Sequence, residues 1–294
     1  MKSTQFRLDF LLFLCLKGGI LVTFPVGCTT PPAGPEGISP VPPYTSVVKA
    51  QNERMGKLSH LFGAGVVELQ WVDDEGKEHF EPQVNLDLWI RFPRETALRL
   101  EKMGDVLFWI GSDNKRYWLF DLLGKPTSVV TGAFGKPLHI DDNFALPVRP
   151  DSLLDLLGFM VFPASDVGVK VAVGEEPETF KVVEKRRVVW FDTQSLLPTR
   201  VEIFDAEGRS VFVSELRRYV AAYLPNSFVL DRPQCPTLID ISGTEGRMSV
   251  KIALDGLRIT GDSEGQPWDR VFDFERLRKA LRPATMRSSA KEAQ

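Results

Sequence analysis

The chain has 294 residues, of which 43% are hydrophobic and 26% charged, and its formal net charge at neutral pH is −3. This composition is typical of a globular protein and is too apolar for a disordered one. The slight negative charge gives no electrostatic footprint for a nucleic acid, so no nucleic-acid partner is predicted. The length suits one large β domain or two ordinary domains.

The first 27 residues are predicted to be a lipoprotein signal peptide. Lys2 and Arg7 give the positive start of an export signal, and the apolar stretch after them is too short and broken for a membrane span. The segment ends at Pro25-Val26-Gly27-Cys28, which resembles a bacterial lipobox. This resemblance implies cleavage before Cys28, lipidation of its thiol and anchoring by acyl chains such as palmitate. An ordinary signal peptide with Cys28 nearby by chance is the alternative.

Residues 28–43 are predicted to connect this anchor to the domain. By resemblance to Gram-negative sorting rules, Thr29 directly after the cysteine favours the outer membrane over the inner one. The run from Thr29 to Pro43 contains six prolines, which keep it extended and prevent it from forming a core. The expected location is therefore the bacterial cell envelope, with a lipid anchor in the outer membrane and the domain facing the periplasm.

The body of the chain begins with one predicted helix. Apolar residues recur at roughly helical spacing between Tyr44 and Leu61, and Arg54 falls among the polar positions between them. Residues 62–72 then alternate as a strand, which is closed by the acidic turn at residues 73–76.

Four apolar runs between Asn85 and Leu122 predict an antiparallel meander with one apolar face. In the first run the apolar residues occupy every second position, which is the period of a strand with one face on a core. Short polar connections separate the runs and suit hairpins between antiparallel neighbours.

The sequence loses its periodicity over residues 124–149, which predicts a long loop. A short helix is predicted from Pro150 through Phe159, because proline is favourable near a helix start. Several strands follow between residues 168 and 219.

The cleanest alternation in the chain lies between residues 247 and 259, where the apolar side chains of one strand face one way. A charged helix over 273–281 and a disordered polar tail over 283–294 are predicted after it. About ten strands and two or three helices predict a mainly β (α+β) fold, with one antiparallel sheet in a single domain at 44–282.

The order of these elements resembles the LolA/LolB lipoprotein-carrier superfamily, roughly from Tyr44 to Tyr219 and more loosely to Ile259. The segments that carry the resemblance are Leu88-Trp89-Ile90-Arg91-Phe92-Pro93, Leu107–Ser112, Tyr117-Trp118-Leu119-Phe120, Trp190-Phe191-Asp192 and Leu197–Ile203. The resemblance implies an unclosed antiparallel half β-barrel, with a few helices covering its concave side and an apolar cavity for acyl chains.

One residue departs from the pattern of that superfamily. Its soluble carrier has an arginine that latches the lid directly before a strand-ending proline, whereas this chain has Phe92 there and Arg91 one position earlier. A shift of one residue along a strand moves a side chain to the opposite face. We therefore expect Arg91 to point away from the cavity and Phe92 to join the apolar face.

No residue pattern predicts an enzyme, a cofactor or a metal. The three histidines are widely separated and have no cysteine or carboxylate neighbours at metal-ligand spacing. The sequence has no nucleophile elbow, P-loop or dinucleotide fingerprint. Cys235 is the only cysteine in the body of the chain, so no disulfide within the domain is possible, and the prolines around it predict an inert loop thiol.

Two functions remain open. The first is a membrane-anchored lipoprotein that binds acyl chains of lipids or lipoproteins, in lipoprotein sorting or envelope maintenance. The second is an envelope sensor or scaffold lipoprotein that uses the same fold to bind a protein partner; it predicts a filled barrel and partner contacts at residues 124–149. The predicted cavity wall consists of Leu88, Ile90, Phe92, Phe108, Trp118, Phe120, Ile203, Val250 and Ile252.

Overall fold

The structure is a computed structural model that describes residues 41–73, 75–134, 150–260 and 267–288. These residues all belong to one compact unit, residues 39–294. The signal segment, Cys28 and most of the predicted tether lie outside the described residues. So does most of the predicted loop over 124–149, from residue 135 onward.

Fourteen strands of the described chain form one sheet. They are β1 (His60–Val72), β2 (Glu78–Arg91), β3 (Glu95–Lys102), β4 (Asp105–Ser112), β5 (Arg116–Asp121), β6 (Ser128–Ala133), β7 (Lys170–Val173), β8 (Thr179–Val183), β9 (Arg187–Asp192), β10 (Pro198–Phe204), β11 (Ser210–Ala221), β12 (Gln234–Gly243), β13 (Met248–Ile259) and β14 (Thr285–Ser288).

The order across the sheet is β14-β6-β5-β4-β3-β2-β1-β13-β12-β11-β10-β9-β8-β7, with β14 and β7 at its two edges. All neighbours pair antiparallel except β14, which runs parallel to β6. Two meanders, β1–β6 and β7–β13, therefore join where β13 pairs with β1 at the centre of the sheet. This confirms the predicted fold class, a mainly β, unclosed antiparallel half barrel with few helices.

Four α-helices of the described chain pack on this sheet, two on each face. They are α1 (Tyr44–Gly56), α2 (Pro150–Leu156), α3 (Trp268–Val271) and α4 (Phe274–Leu281). The face on which α1 and α2 bury apolar side chains is called the inner face here. The opposite face, covered over part of its area by α3 and α4, is called the outer face.

Three segments differ from the sequence prediction. Residues 128–133, expected within the long loop, form β6, because Val129 and Val130 bury their side chains on opposite faces of the sheet. Residues 285–288, expected within the polar tail, form β14 and take up the free edge of β6. The first helix ends at Gly56. Leu61 lies in β1, where it is paired with strands on both sides.

Candidate functional site: the two faces of the sheet

A continuous apolar core covers the inner face. Val47 and Met55 of α1 and Leu156 of α2 are at most 1% exposed and pack against side chains from β1 to β13. The buried positions of α1 recur at spacings of three and four residues, which turns one side of the helix toward the sheet. The inner face is therefore covered by helices, as the resemblance implied.

A small apolar void remains between α2 and the strands of the inner face. Its volume is about 20 Å³, close to that of a single water-sized probe. Ten apolar side chains line it: Val67, Leu86, Leu98, Leu100, Ile110, Leu153, Ile241, Met248, Val250 and Ile252. The void is too small for an acyl chain, so the inner face is nearly filled in this structure.

Seven of the nine residues predicted to form a cavity wall belong to the inner-face core. They are Leu88, Ile90, Phe92, Phe108, Ile203, Val250 and Ile252. Two of them, Val250 and Ile252, line the void itself. Contact between these residues and a ligand remains a prediction.

The placement of Trp118 and Phe120 was predicted wrongly, because both lie on the outer face. Directly opposed residues of an antiparallel pair share a face. Phe120 is opposite Trp109 and Trp118 is opposite Gly111, which sets both aromatic rings on the face of Trp109. The ring of Trp118 lies against Gly111 so closely that a β-carbon there would be 2.6 Å from the indole nitrogen.

Arg91 and Phe92 point to opposite faces, as predicted. Phe92 packs against the inner-face core. Arg91 forms an ion pair with Glu95 and lies over the ring of Phe272 on the outer face, with its guanidinium carbon 5.1 Å from the ring centroid. Arg91 therefore cannot hold the helices of the inner face.

Arg54 holds the helices of the inner face instead. The sequence prediction placed Arg54 on the polar side of the first helix and therefore missed this role. Its side chain is 8% exposed, and its guanidinium donates hydrogen bonds to the main-chain oxygens of Gly158 and Gln234, both at 2.8 Å. Two further bonds go to the amide oxygen of Gln51, at 3.0 and 3.2 Å. Arg54 thus connects α1 to the segment after α2 and to β12.

Two neighbours of Arg54 in α1 extend this connection. Gln51 donates to the main-chain oxygen of Met160, and Asn52 both donates to and accepts from the backbone of Phe162, all at 2.8 to 3.0 Å. The chain after α2 is therefore held by α1 along residues 158–162. In the sequence, a signal existed: Gln51 and Arg54 follow Val47 at helical spacing on the buried side.

The groups around Arg54 are strongly desolvated. Burial lowers the pKa of Arg54 and raises the pKa of Tyr219, whose hydroxyl donates to the main-chain oxygen of Pro198. Burial also raises the pKa of Cys235 to about 12. Cys235 lies in β12 rather than in the predicted loop, and its thiol is fully buried.

The outer face of β2–β5 carries a second, aromatic core. Phe274 of α4 lies 5.7 Å from Trp118 and 5.9 Å from Phe120, measured between ring centroids. The guanidinium of Arg116 lies 4.6 Å from the centroid of Phe274. Asp273 begins α4 as its N-cap, since its carboxylate accepts from the backbone nitrogen of Arg276. This part of the sheet is therefore covered on both faces.

Within the described ranges, no three His, Cys, Asp or Glu side chains come together as metal ligands. In the same part of the chain, no helix has both the length and the apolarity to cross a membrane.

Comparison with known proteins gives likenesses of structure without likeness of sequence. No protein-family model and no curated protein matches the chain. Among solved structures, the chain is similar to a DUF1329 family protein from Desulfovibrio piger, with a TM-score of 0.51 and 12% identity over 80% of this chain and 99% of that one. At this identity the likeness shows the fold alone.

Two further solved structures are similar at lower scores. One is a LolA superfamily protein from Nitrosomonas europaea, with a TM-score of 0.45 and 10% identity over 78% of this chain and 97% of that one. The other is a candidate outer membrane lipoprotein-sorting protein domain from Vibrio parahaemolyticus, with a TM-score of 0.42 and 12% identity over 80% and 97%. The solved structures similar to this chain thus include one from the superfamily that its sequence resembles.

Proposed function

We propose that this chain is a membrane-anchored, non-enzymatic binding protein of the bacterial envelope, which takes an acyl chain of a lipid or lipoprotein between α2 and the inner face. The observation that carries the proposal is the void beneath Leu153, because all ten of its lining residues are apolar. An apolar lining without a polar partner suits a hydrocarbon chain and no polar substrate.

Entry of a chain requires Leu153 to move, because the void has only about 20 Å³ of free volume. Removing one buried leucine from its packing costs about 2–5 kcal/mol. The space that one leucine side chain vacates holds about four methylene groups, whose burial contributes about 3 kcal/mol at roughly 0.8 kcal/mol each. This gain is comparable to the cost of displacing the leucine.

The last turn of α2 is attached to the neighbouring strands β9 and β11. The carbonyl oxygen of Leu156 accepts from Ser214, and the carboxylate of Asp155 pairs with Arg187, at 2.6 Å in both cases. Arg54 holds Gly158 directly after the helix. Leu153 stands one turn before these contacts and lines the void. In this proposal the side chain of Leu153 moves out of the void while the end of α2 stays attached.

A void enlarged by mutation tests the proposal. An apolar cavity made by deleting a leucine side chain stays dry and takes apolar ligands. We expect Leu153→Ala to raise the affinity for a fluorescent palmitate analogue several-fold in a titration of the chain without residues 1–27. Leu154→Ala is the matched control, since Leu154 is on the same helix but does not line the void.

The titration also has an outcome that would remove the proposal. If neither the parent chain nor Leu153→Ala shows saturable binding of the palmitate analogue, the inner face is a structural core and nothing more. The anchor is tested separately: Cys28→Ser is expected to move the protein from the membrane fraction to the soluble fraction of the envelope.

A sensor or scaffold lipoprotein that binds a protein partner is the second candidate, and the nearly filled inner face favours it. This function predicts a partner near the start of the 124–149 segment. A photo-crosslinking residue in place of the exposed Lys125 is expected to capture a discrete partner in envelope extracts. The same residue in place of the exposed Glu207, in the β10–β11 turn, is the control.

A further inference from the structure

A groove of about 470 Å³ opens on the outer face between the sheet and helices α3 and α4. Its lining includes Asp87, Trp89, Arg99, Trp109, Arg270 and Arg276. The volume is within the range of small-molecule sites, which combine an apolar lining with a few polar groups. The groove lies across the sheet from the void of the inner face, so an inference about it does not rest on the proposed function.

Two parallel indole rings form the floor of the groove. The ring centroids of Trp89 and Trp109 are 6.3 Å apart, with 6° between their planes. The guanidinium carbon of Arg99 lies over both, at 5.8 Å from Trp89 and 5.9 Å from Trp109. Its side chain is fixed in this position by an ion pair with Asp87. The aromatic floor is therefore preorganised, with one guanidinium held against it.

Two buried donors on this floor have no hydrogen-bond acceptor among the described residues. They are the indole nitrogen of Trp109 and the Nε of Arg99. Trp109 as a whole is 8% exposed. A buried donor without an acceptor costs about 1–3 kcal/mol. Such a donor in a core deserves a reason, and an acceptor atom on a ligand provides one.

The charges of the lining favour an anion. Arg99, Arg270 and Arg276 stand against the single carboxylate of Asp87, which Arg99 already pairs. Glu101 reaches Arg99 at 3.6 Å but is not part of the lining. Arg270 and Arg276 are exposed at the rim and are available to an oxygen anion.

We propose that this groove binds a small anionic amphiphile, with its flat or aliphatic body on the Trp89–Trp109 floor and its carboxylate, sulfonate or phosphate toward Arg270 and Arg276. The apolar part replaces water against the indole rings and Leu277. The anionic oxygens accept from the rim guanidinium groups, which form the stronger, charge-assisted class of hydrogen bond.

Two probes that differ in one charge test the proposal on the full chain. The anion 1-anilinonaphthalene-8-sulfonate carries the naphthyl body and a sulfonate, whereas N-phenyl-1-naphthylamine has the same body without it. We expect the sulfonate to bind at least tenfold more tightly. Arg270→Gln with Arg276→Gln is expected to lower the affinity for the sulfonate about tenfold and to leave that of the neutral probe unchanged.

Three further variants make the test specific. Ala280→Trp fills the groove from its exposed rim and is expected to abolish binding of both probes there. Trp109→Phe replaces one of the two indole rings of the floor with a smaller ring, so it is expected to weaken both probes. Lys279→Gln is the charge-matched control on α4, outside the lining, and is expected to change nothing.

The urea midpoint of each variant shows whether it is folded. Arg270, Arg276 and Lys279 are exposed, so these variants decide the question even if Ala280→Trp fails to fold. The proposal would be overturned if the sulfonate probe did not bind, or if the paired arginine substitution left its affinity unchanged. Equal affinity for the two probes would do the same.

Discussion

Replacement of Arg54 by methionine tests whether one buried cation holds the helices on the inner face. Methionine keeps the apolar stem of the side chain but removes every hydrogen-bond donor. The main-chain oxygens of Gly158 and Gln234 and the amide oxygen of Gln51 then lose the bonds that Arg54 donates.

The magnitude follows from these acceptors. Each buried acceptor left without a partner costs about 1–3 kcal/mol, so two carbonyl groups cost about 2–6 kcal/mol. Part of this is offset, because the buried guanidinium has no carboxylate among these partners and its own desolvation costs several kcal/mol. The lowered pKa of Arg54 has the same cause, burial of the charged form. We expect a net loss of about 2–4 kcal/mol in the free energy of unfolding.

Urea denaturation measures the total loss, and amide hydrogen exchange locates it. We expect the protection of residues 158–162 to fall more than that of β1 and β2, since Arg54 ties this segment to α1. Lys49→Met is the control: Lys49 is exposed on the same helix, and such substitutions usually change stability by less than about 0.5 kcal/mol. A loss below 1 kcal/mol for Arg54→Met, with unchanged exchange over 158–162, would refute this account of Arg54.

Three other changes have definite expected outcomes. Gly65→Ala should destabilise the fold by about 1–3 kcal/mol in urea, because its β-carbon would lie 2.3 Å from the main-chain oxygen of Ala253, whereas Gly56→Ala meets nothing within 4 Å and should be neutral. Phe274→Ala should cost about 3–5 kcal/mol and shift the tryptophan emission to the red, since its ring covers Trp118 and Phe120; an unshifted spectrum would contradict the covered outer face. Cys235 should resist thiol reagents at pH 8 until the protein is unfolded, because its pKa is about 12 in the fold against 9.0 otherwise. The unfolded chain then ionises first, so this thiol should cost stability as the pH rises from about 9 to 12, and rapid labelling of the native protein would contradict its burial.

The orientation of β13, a strand with one covered face, was predicted correctly from the sequence. In β13 the apolar residues Met248, Val250, Ile252 and Leu254 alternate with polar ones, and all four belong to the inner-face core. In an antiparallel strand with one face toward water, apolar and polar residues alternate strictly. The residues that face the core can therefore be identified from the sequence.

Strand β5, which is covered on both faces, could not be assigned in this way. β4 and β5 are apolar at nearly every position because α1 and α2 cover one face and α3 and α4 the other. Across the turn at residues 112–115, no pattern in the sequence indicates which face of β5 continues which face of β4. Trp118 and Phe120 were consequently placed on the wrong face. The helix α4 that covers them lies about 150 residues further along the chain, which local periodicity cannot reveal.

The role of Arg54 was hidden for a different reason. A charged residue on a helix is usually exposed, so an arginine between apolar positions is predicted to lie on the solvent-exposed side of the helix. Its burial depends on carbonyl groups at Gly158 and Gln234, which are 104 and 180 residues away in sequence. Only the packed structure brings these acceptors together.

The two proposed sites use neighbouring residues of the same three strands. In β2, β3 and β4 the inner void is lined by Leu86, Leu98 and Ile110, while the outer groove is lined by Asp87, Arg99 and Trp109. Each pair of neighbours points to opposite faces, because side chains alternate along a strand. A substitution at Leu98 therefore changes the void without touching the groove, and one at Arg99 does the reverse. Each face thus supplies the control for the other. Two independent sites on one sheet would be established if substitutions at Leu153 and Leu98 changed only the affinity for palmitate, and substitutions at Arg99 and Trp109 only the affinity for the sulfonate.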